Sequence, residues 1–381
     1  MKISDIADII NVSVKDPSNS GVDVFVGLEH YDITEPVIKR YGSTKMLSTA
    51  AKKFEAGDVL IARRNVYLQR AAVARFSGLT SGDSIILRVK EDLCTKDTEY
   101  ETMCRLLPFV LNSINFWDYA NTNADGTMSK RLSPAMLLEY EFDLPSIDEQ
   151  KILADKLWAA YEVKQSYLKM IEATQGMVKS QFIEMFGSSE STKPLADFIE
   201  VSFPGEWGQE DKNGDGVKVI RTTNFTNTGK LDLTDVVTRD IDAAKVGKKK
   251  LKKGDIILER SGGTNDNPVG RVVYFNEEGT FLFNNFTQLL RCKEGVNPTF
   301  LFYSLFNYYW TNKRAIRGMG NKTTGIQNLK MDKYWQIPIA DVPIECQEEF
   351  ESIYNQADKS EFELRKSIKA IDAVIKSLIN S

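Results

Sequence analysis

A single histidine, His30, and four cysteines are all that 381 residues offer of the softer metal ligands. Cys94, Cys104, Cys292 and Cys346 form no Cys-x-x-Cys pair and no zinc spacing, so they read as reduced, structural thiols, and no metal site is expected. One histidine leaves one candidate for Ser-His or Cys-His catalysis, and a lone histidine is more often a packed or exposed side chain. No apolar run approaches the length of a membrane span. The N-terminus, Met1-Lys-Ile-Ser-Asp-Ile-Ala-Asp-Ile9, carries acids where a signal peptide needs an apolar core, so the expected location is cytoplasmic. A formal charge of −4 argues against avid nucleic-acid binding by the chain on its own.

The common catalytic constellations are missing too. Gly318-Met-Gly-Asn-Lys-Thr-Thr-Gly325 has its lysine inside the Gly-to-Gly interval and Ile326 where a phosphate-loop lysine should follow, so it reads as a flexible basic loop. Asp211-Lys-Asn-Gly-Asp-Gly216 begins like a calcium loop, but its twelfth position is Thr222 and a strand follows, which makes it a polar turn. There is no Asn-Pro-Pro-aromatic tetrapeptide of an amino-methyltransferase. The segment Gly254-Asp-Ile-Ile-Leu-Glu-Arg260 lacks the lysine of a nuclease motif. The chain is expected to be non-catalytic.

What the chain does have is a duplication. Gly57-Asp-Val-Leu-Ile-Ala-Arg63 returns 197 positions later as Gly254-Asp-Ile-Ile-Leu-Glu-Arg260. Ala71-Ala-Val-Ala-Arg-Phe76 answers to Gly270-Arg-Val-Val-Tyr-Phe275, and Asp83–Lys90 to Phe286–Lys293. Pro145-Ser-Ile-Asp-Glu-Gln150 and Pro343-Ile-Glu-Cys-Gln347 each open a long helical pattern, with Gln150 and Gln347 again 197 apart. So long a period means duplicated domains, since solenoid repeats run roughly 20 to 50 residues.

Each half mixes short apolar strands with turn residues, the pattern of an α+β unit. Strands are expected at Val22–Val26, Asp58–Ala62, Ala71–Phe76 and Ser84–Val89 in the first half, with a helix over Glu99–Trp117. In the second half they are expected at Val217–Arg221, Asp255–Leu258, Arg271–Phe275 and Phe281–Arg291, with a helix near Pro298–Lys313. Ile147–Phe186 and Ile344–Ile379 contain no proline and a single glycine, Gly176, and carry apolar stripes at helical spacing. The first stripe is Leu157, Tyr161, Leu168, Ile171, Val178 and Phe182, interrupted by Lys164 and Gln175. The second is Phe350, Ile353, Leu364, Ile371, Val374 and Leu378. A 40-residue helix spans roughly 60 Å, which favours antiparallel pairing of the two as a coiled-coil spacer over two short core helices.

The remaining chemistry is binding chemistry. Candidate DNA contacts in the first half are Lys45, Lys52, Lys53, Arg63, Arg64, Asn65 and Arg70. In the second they are Arg221, Thr223, Asn224, Lys249, Arg260, Thr264, Asn265, Arg317, Asn321 and Lys322. Arginine and asparagine suit base edges, while lysines and glycine-loop amides suit phosphates. Taken singly, such residues are usually solvated surface, and their recurrence at matching places is what marks them.

The Gly-Asp-(Val/Ile)-(Leu/Ile) strand in each half resembles the specificity subunits of type I restriction-modification systems, over essentially the whole chain. So do the phrases Phe142-Asp-Leu-Pro-Ser-Ile-Asp-Glu-Gln150 and Ile337-Pro-Ile-Ala-Asp-Val-Pro-Ile-Glu-Cys-Gln347 and the long helices behind them. The resemblance implies target-recognition domains at 1–145 and 188–342, and conserved helices at 146–187 and 343–381. It implies that the domains read the two halves of a bipartite, asymmetric double-stranded DNA site. It also implies docking of two methyltransferase subunits and of restriction (translocase) subunits. S-adenosylmethionine, ATP and Mg would belong to those partners and none to this chain; no membrane is involved. Two departures stand out. Cys346 replaces the usual glutamate, and the chain ends at Ser381, a little before the point equivalent to Phe186, so a shortened final helix is expected. Rival readings are a two-headed protein- or RNA-binding adaptor and a cryptic nuclease or methyltransferase.

Overall fold

A computed structural model describes residues 1–95, 97–264, 266–323 and 326–380, with only the backbone of Lys322 and Thr323. The chain divides into two compact units, Met1–Lys169 with Leu364–Ser381, and Met170–Glu363. No described helix is long and apolar enough to cross a membrane.

Both units are built on the same four-stranded antiparallel sheet. In unit 1 its order is Ala7–Ile10, Ser84–Val89, Val59–Ala62, Ala71–Val73. In unit 2 it is Ile199–Val201, Thr287–Cys292, Ile256–Glu259, Val272–Tyr274. The central strand reads as an unbroken apolar run because both of its faces are covered. Val59 and Ile61 face one core while Leu60 and Ala62 face another, and Ile256 and Leu258 divide from Ile257 in the same way. A second sheet covers the far side. Within it Val24–Val26 lies parallel to Gly78–Thr80 in unit 1, and Val217–Ile220 lies parallel to Phe281–Phe283 in unit 2.

The Gly-Asp pair that opens the central strand has a physical cause. Gly57 and Gly254 sit at φ +97° and +88°, in the left-handed region that a side chain disfavours. The aspartate then closes the turn: the Asp58 carboxylate accepts from the Glu55 N–H at 2.7 Å, and Asp255 from the Lys252 N–H at 2.7 Å. The same carboxylates take a two-pronged ion pair from the neighbouring strand. Arg88 donates Nε and Nη2 to Asp58 at 2.7 and 2.9 Å, and Arg291 donates to Asp255 at 2.7 Å with both. Gly57→Ala is expected to cost about 1–2 kcal/mol, the strain of an L-residue at that φ, since an added Cβ there meets nothing within 4 Å. Gly254→Ala should cost more, because its Cβ would lie 3.3 Å from Pro298. Urea denaturation of the two variants orders them.

The long helices run over Ile147–Phe186 and Ile344–Asn380. Gln150 and Gln347, both buried, fix their starts. Gln150 accepts from Thr98 Oγ1 at 2.8 Å and donates to the carbonyls of Asp97 and Pro145. Gln347 accepts from the Asn297 N–H at 2.9 Å and donates to the Val342 carbonyl at 2.9 Å. The missing glutamate at Cys346 is explained by its neighbour. Glu149 receives the N–H and hydroxyl of Ser146, the reciprocal half of a capping box, whereas the residue matching Ser146 is Pro343, which has no N–H to offer.

Within each unit the two helix segments pass in opposite senses. In unit 1 Lys164, which breaks the apolar stripe, forms a 2.8 Å ion pair with Asp372, while Leu157 and Tyr161 are buried and Ile375, Leu378 and Ile379 pack on the same core. In unit 2 Val178 and Phe182 share a core with Ala357 and Phe350, and the rings of Phe182 and Phe350 stand 5.1 Å apart. Ile171 is buried; Ile353, Leu364 and Ile371 are half-buried. Two stripe residues are corrected. Leu168 is exposed and belongs to neither core, and Val374 is exposed because Ile375, about 100° further round, takes the inward place.

Other expectations shift as well. The helix expected over Glu99–Trp117 is two helices, Tyr100–Val110 and Ile114–Thr122, with Pro108 near the break and the Ser113 hydroxyl capping the second by accepting from the Phe116 N–H. The helix near Pro298–Lys313 ends at Thr311, and another begins at Lys313. The expected strand Phe281–Arg291 is split by a turn in which Thr287 donates to the Asn284 carbonyl, and its halves join different sheets. Gly318–Gly325 is no plain loop in its described part: it completes the helix Lys313–Met319 and enters a hairpin strand, Gly320–Thr323. Asp211 does hold a polar turn, accepting from the N–H groups of Asn213, Gly214 and Gly216.

One sequence match is also corrected. Ala74 and Phe275 occupy the same place, each donating its N–H to the aspartate carbonyl and accepting from the glycine N–H before it. The true offset for this strand is therefore 201, two residues from the apparent match. A two-residue slip keeps the same residues facing inward, so alternation cannot detect it.

Candidate nucleic-acid interface

The end of the central strand places Arg63 and Arg260 identically. The Arg63 N–H donates to the Asp83 carbonyl and its carbonyl accepts from Leu132, both at 3.0 Å. Arg260 is clamped likewise between Phe286 and Leu329, at 2.9 and 2.8 Å. Both chains then turn through a positive φ, +56° at Asn65 and +112° at Gly262. With the backbone pinned on two sides, each arginine side chain leaves from a fixed point on a rigid sheet.

In unit 1 two of the candidate side chains, Lys52 and Arg64, reach the Asp83–Ser84 turn, and Asn65 and Arg70 are tied to Arg64 beside it. Lys52 donates to the Ser84 carbonyl at 3.0 Å. Burial, and after it the charge of Arg63, push its ammonium below the ordinary lysine value. Arg64 lies 3.9 Å from the Asp83 carboxylate and donates to Ser129 Oγ at 3.0 Å, and that hydroxyl in turn donates to Asn65 Oδ1. Arg70 donates to the Leu28 and Arg64 carbonyls at 2.8 and 3.0 Å. Lys53 alternates to the other side of its strand and lies 4.0 Å from Glu55; Lys45 is exposed on the turn Thr44–Met46.

In unit 2 Arg260 donates to Gln288 Oε1 at 3.2 Å. Lys249 closes the helix Ala243–Lys249 and pairs with Glu206 at 3.2 Å. Arg221 pairs with Asp235 at 2.9 Å. Thr223, Thr264, Arg317 and Asn321 are exposed. The Thr264 hydroxyl accepts from the Asn267 N–H, Arg317 sits on the helix Lys313–Met319, and Asn321 lies opposite Asn328 in the hairpin. Asn265 lies outside the described residues. Of Lys322 only the backbone is described, opposite Gln327.

Asn224 is corrected from base reader to structural residue. It is buried, its Oδ1 accepts from the Arg221 N–H at 2.8 Å, and its Nδ2 donates to the Asp232 and Asp235 carbonyls at 2.9 Å. The same position in unit 1 is filled by His30, whose Nδ1 accepts from the Gly27 N–H at 2.9 Å. The chain's one histidine therefore closes a tight turn.

Sequence reasoning missed the residues that arrive from elsewhere in the chain. Arg131 bridges to Arg64, and one of its guanidinium nitrogens lies 3.7 Å from Asp83. In unit 2 Asn328 occupies that position and accepts from Ser261 Oγ at 2.7 Å, and half-exposed Phe286 stands where unit 1 has Asp83. Arg239, stacked 4.4 Å from the Trp207 ring centroid, was missed too. The sequence carries no local signal for these approaches, which join residues 32 to 67 positions apart.

The comparisons agree with this architecture. The family model for the type I restriction modification DNA specificity domain matches residues 190–372. Among curated proteins none matches. The type I restriction-modification S subunit from M. genitalium superposes with a TM-score of 0.57 at 13% identity, over all of this chain and 94% of that one. A chain from work on complex assembly and conformational transition of the type I R-M system gives 0.54 at 16%, over all of this chain and 95% of that one. At such identities the likeness speaks for the fold. The family model thus identifies residues 190–372, the part that carries Arg260, as a type I restriction modification DNA specificity domain, and the fold shared with the solved type I structures extends over the whole chain.

Proposed function

We propose that this chain is the non-catalytic, sequence-reading subunit of a type I complex. Residues 1–145 and 188–342 act as two target-recognition domains, each reading one half of a bipartite, asymmetric duplex site. The helices at 146–187 and 343–381 set the interval between the half-sites. Methyltransferase subunits, bringing S-adenosylmethionine, and ATP-driven restriction subunits dock on this chain. The observation that carries the reading is the duplicated junction, which presents Arg63 and Arg260 from the same clamped backbone position in each unit. The acidic net charge fits the division of labour, since partner subunits closing around the duplex would supply most of the phosphate contacts.

The test is co-expression with the cognate modification subunit and genome-wide mapping of methylated adenines. A two-part motif is expected, with no methylation by the isolated chain. Arg260→Ala should relax discrimination in one half of the motif, by about 1–3 kcal/mol for a base contact. Methylation by the isolated chain would overturn the non-catalytic reading. A single uninterrupted motif would overturn the two-domain reading.

A further inference from the structure

The same junction carries much more unbalanced positive charge in unit 1 than in unit 2. In unit 1 Lys52, Arg63, Arg64, Arg70 and Arg131 are linked through the Asp83–Ser84 turn and the Arg64 backbone. Among the described residues Asp83 supplies the only carboxylate within 4.0 Å of any of the five. In unit 2 the matching positions are Lys249, Arg260, Ser261, Arg271 and Asn328, so two of the five cations are replaced by neutral side chains. Of the three that remain, two are neutralised: Lys249 by Glu206 at 3.2 Å and Arg271 by buried Glu259 at 2.7 Å. The residue facing Arg70 in place of Glu259 is Ala62.

Five cations with a single carboxylate among them, paired with only Arg64 and Arg131, are an unfinished arrangement. The Nε groups of Arg63 and Arg70 are buried without an acceptor. Burial disfavours charge on Arg70, and burial followed by the charge of Arg63 disfavours it on Lys52. A bound oxyanion would offer acceptors to several of these donors at once and relieve the mutual repulsion, as charge-assisted guanidinium–oxyanion bonds do.

We propose that the unit 1 notch is an oxyanion site that takes a phosphodiester of the DNA backbone, while its unit 2 counterpart contacts base edges through Arg260 and neutral side chains. The proposal rests on the DNA-reading function above and adds a division of labour between the duplicated halves. Each unit still reads its own half-site, but of the two junctions the unit 1 notch carries more of this chain's own salt dependence, while the unit 2 junction, with Gln288, Ser261, Asn328 and Phe286 around Arg260, contributes base discrimination.

Two measurements test it. The full chain is melted in inorganic phosphate against chloride at equal ionic strength, and its complex with the modification subunit is titrated with a labelled mixed-sequence duplex from about 50 to about 200 mM salt. The variant Arg64→Ser/Arg131→Asn gives unit 1 the unit 2 residues. It should lose the upward shift in melting temperature caused by phosphate, and its log K against log salt slope should flatten by about 1 to 2, one phosphate contact being worth about 0.9. Arg64→Lys/Arg131→Lys, which keeps the charge, should restore most of the slope, so a folding defect cannot imitate the result. The control Ser261→Arg should steepen it. Duplex binding with unchanged slope and no phosphate shift overturns the notch and leaves DNA reading intact. A phosphate shift in a chain whose complex binds no duplex identifies free phosphate as the ligand and overturns both the phosphodiester assignment and the DNA-reading function.

Discussion

Arg291→Ala is expected to destabilise unit 2 by about 3–5 kcal/mol, the usual cost of stranding one member of a buried ion pair. Asp255 is 1% exposed, and Arg291 supplies two of its donors at 2.7 Å. The carboxylate in turn pushes the arginine still further toward its charged form. Without the guanidinium, Asp255 keeps, among the described residues, only the Lys252 N–H, too little to hold a charge in a place water cannot reach. Asp255→Asn in the Arg291→Ala background should recover part of the loss, because a carboxamide oxygen still accepts from Lys252 without carrying charge. Arg88→Ala in unit 1 should cost less: Arg88 is more exposed, 32% against 21%, and divides its charge between Asp58 and Glu55. Urea denaturation followed by a probe in each unit would measure all three. A loss under about 1 kcal/mol for Arg291→Ala would mean that the surroundings relax to hydrate Asp255.

That pair also shows why the duplication was legible in the sequence. A glycine at positive φ, an aspartate closing its turn and an arginine across the sheet form a linked requirement, so Gly57-Asp58 with Arg88 and Gly254-Asp255 with Arg291 stand out in both halves. The buried glutamines Gln150 and Gln347 are marked for the same reason, each spending its carboxamide on a loop before the helix. Helix extents were legible because the stripes are long and free of proline. The second repeat strand was misplaced by two residues because inward alternation is blind to an even slip. The notch was only half legible. Arg63, Arg64 and Arg70 lie close together in sequence, but Arg131 and Asp83 join them through pairing that no local pattern announces. Asn224 was misread as a base reader because its chemistry suits either a base or a turn; burial decided.

Phe350→Ala should be the costliest hydrophobic truncation in unit 2, about 3–5 kcal/mol. Its ring is fully buried and stands 5.1 Å from Phe182 and from Tyr303, and 5.8 Å from Phe186. Edge and tilted ring pairs add about 0.5–1.5 kcal/mol each beyond area alone, and the cavity left by a rigid ring has several stiff walls that cannot collapse into it. The internal repeat supplies the control. The position matching Phe350 in unit 1 is Leu153, and that matching Phe182 is Ile379; both are partly buried and aliphatic. Leu153→Ala should therefore cost less than about 2 kcal/mol, below the range for a fully buried leucine. The difference has a consequence for the helices. Phe350 lies one turn after Gln347, which ties the C-terminal helix to Asn297, so ring packing and that tether together fix where the helix meets unit 2. Hydrogen exchange should then show Phe350→Ala loosening the first turns of the C-terminal helix, while Leu153→Ala leaves the first turns of the central helix protected by Gln150. Equal costs for the two truncations would mean that the aromatic cluster contributes only its buried area, and equal protection would assign the docking of both helices to the glutamines alone.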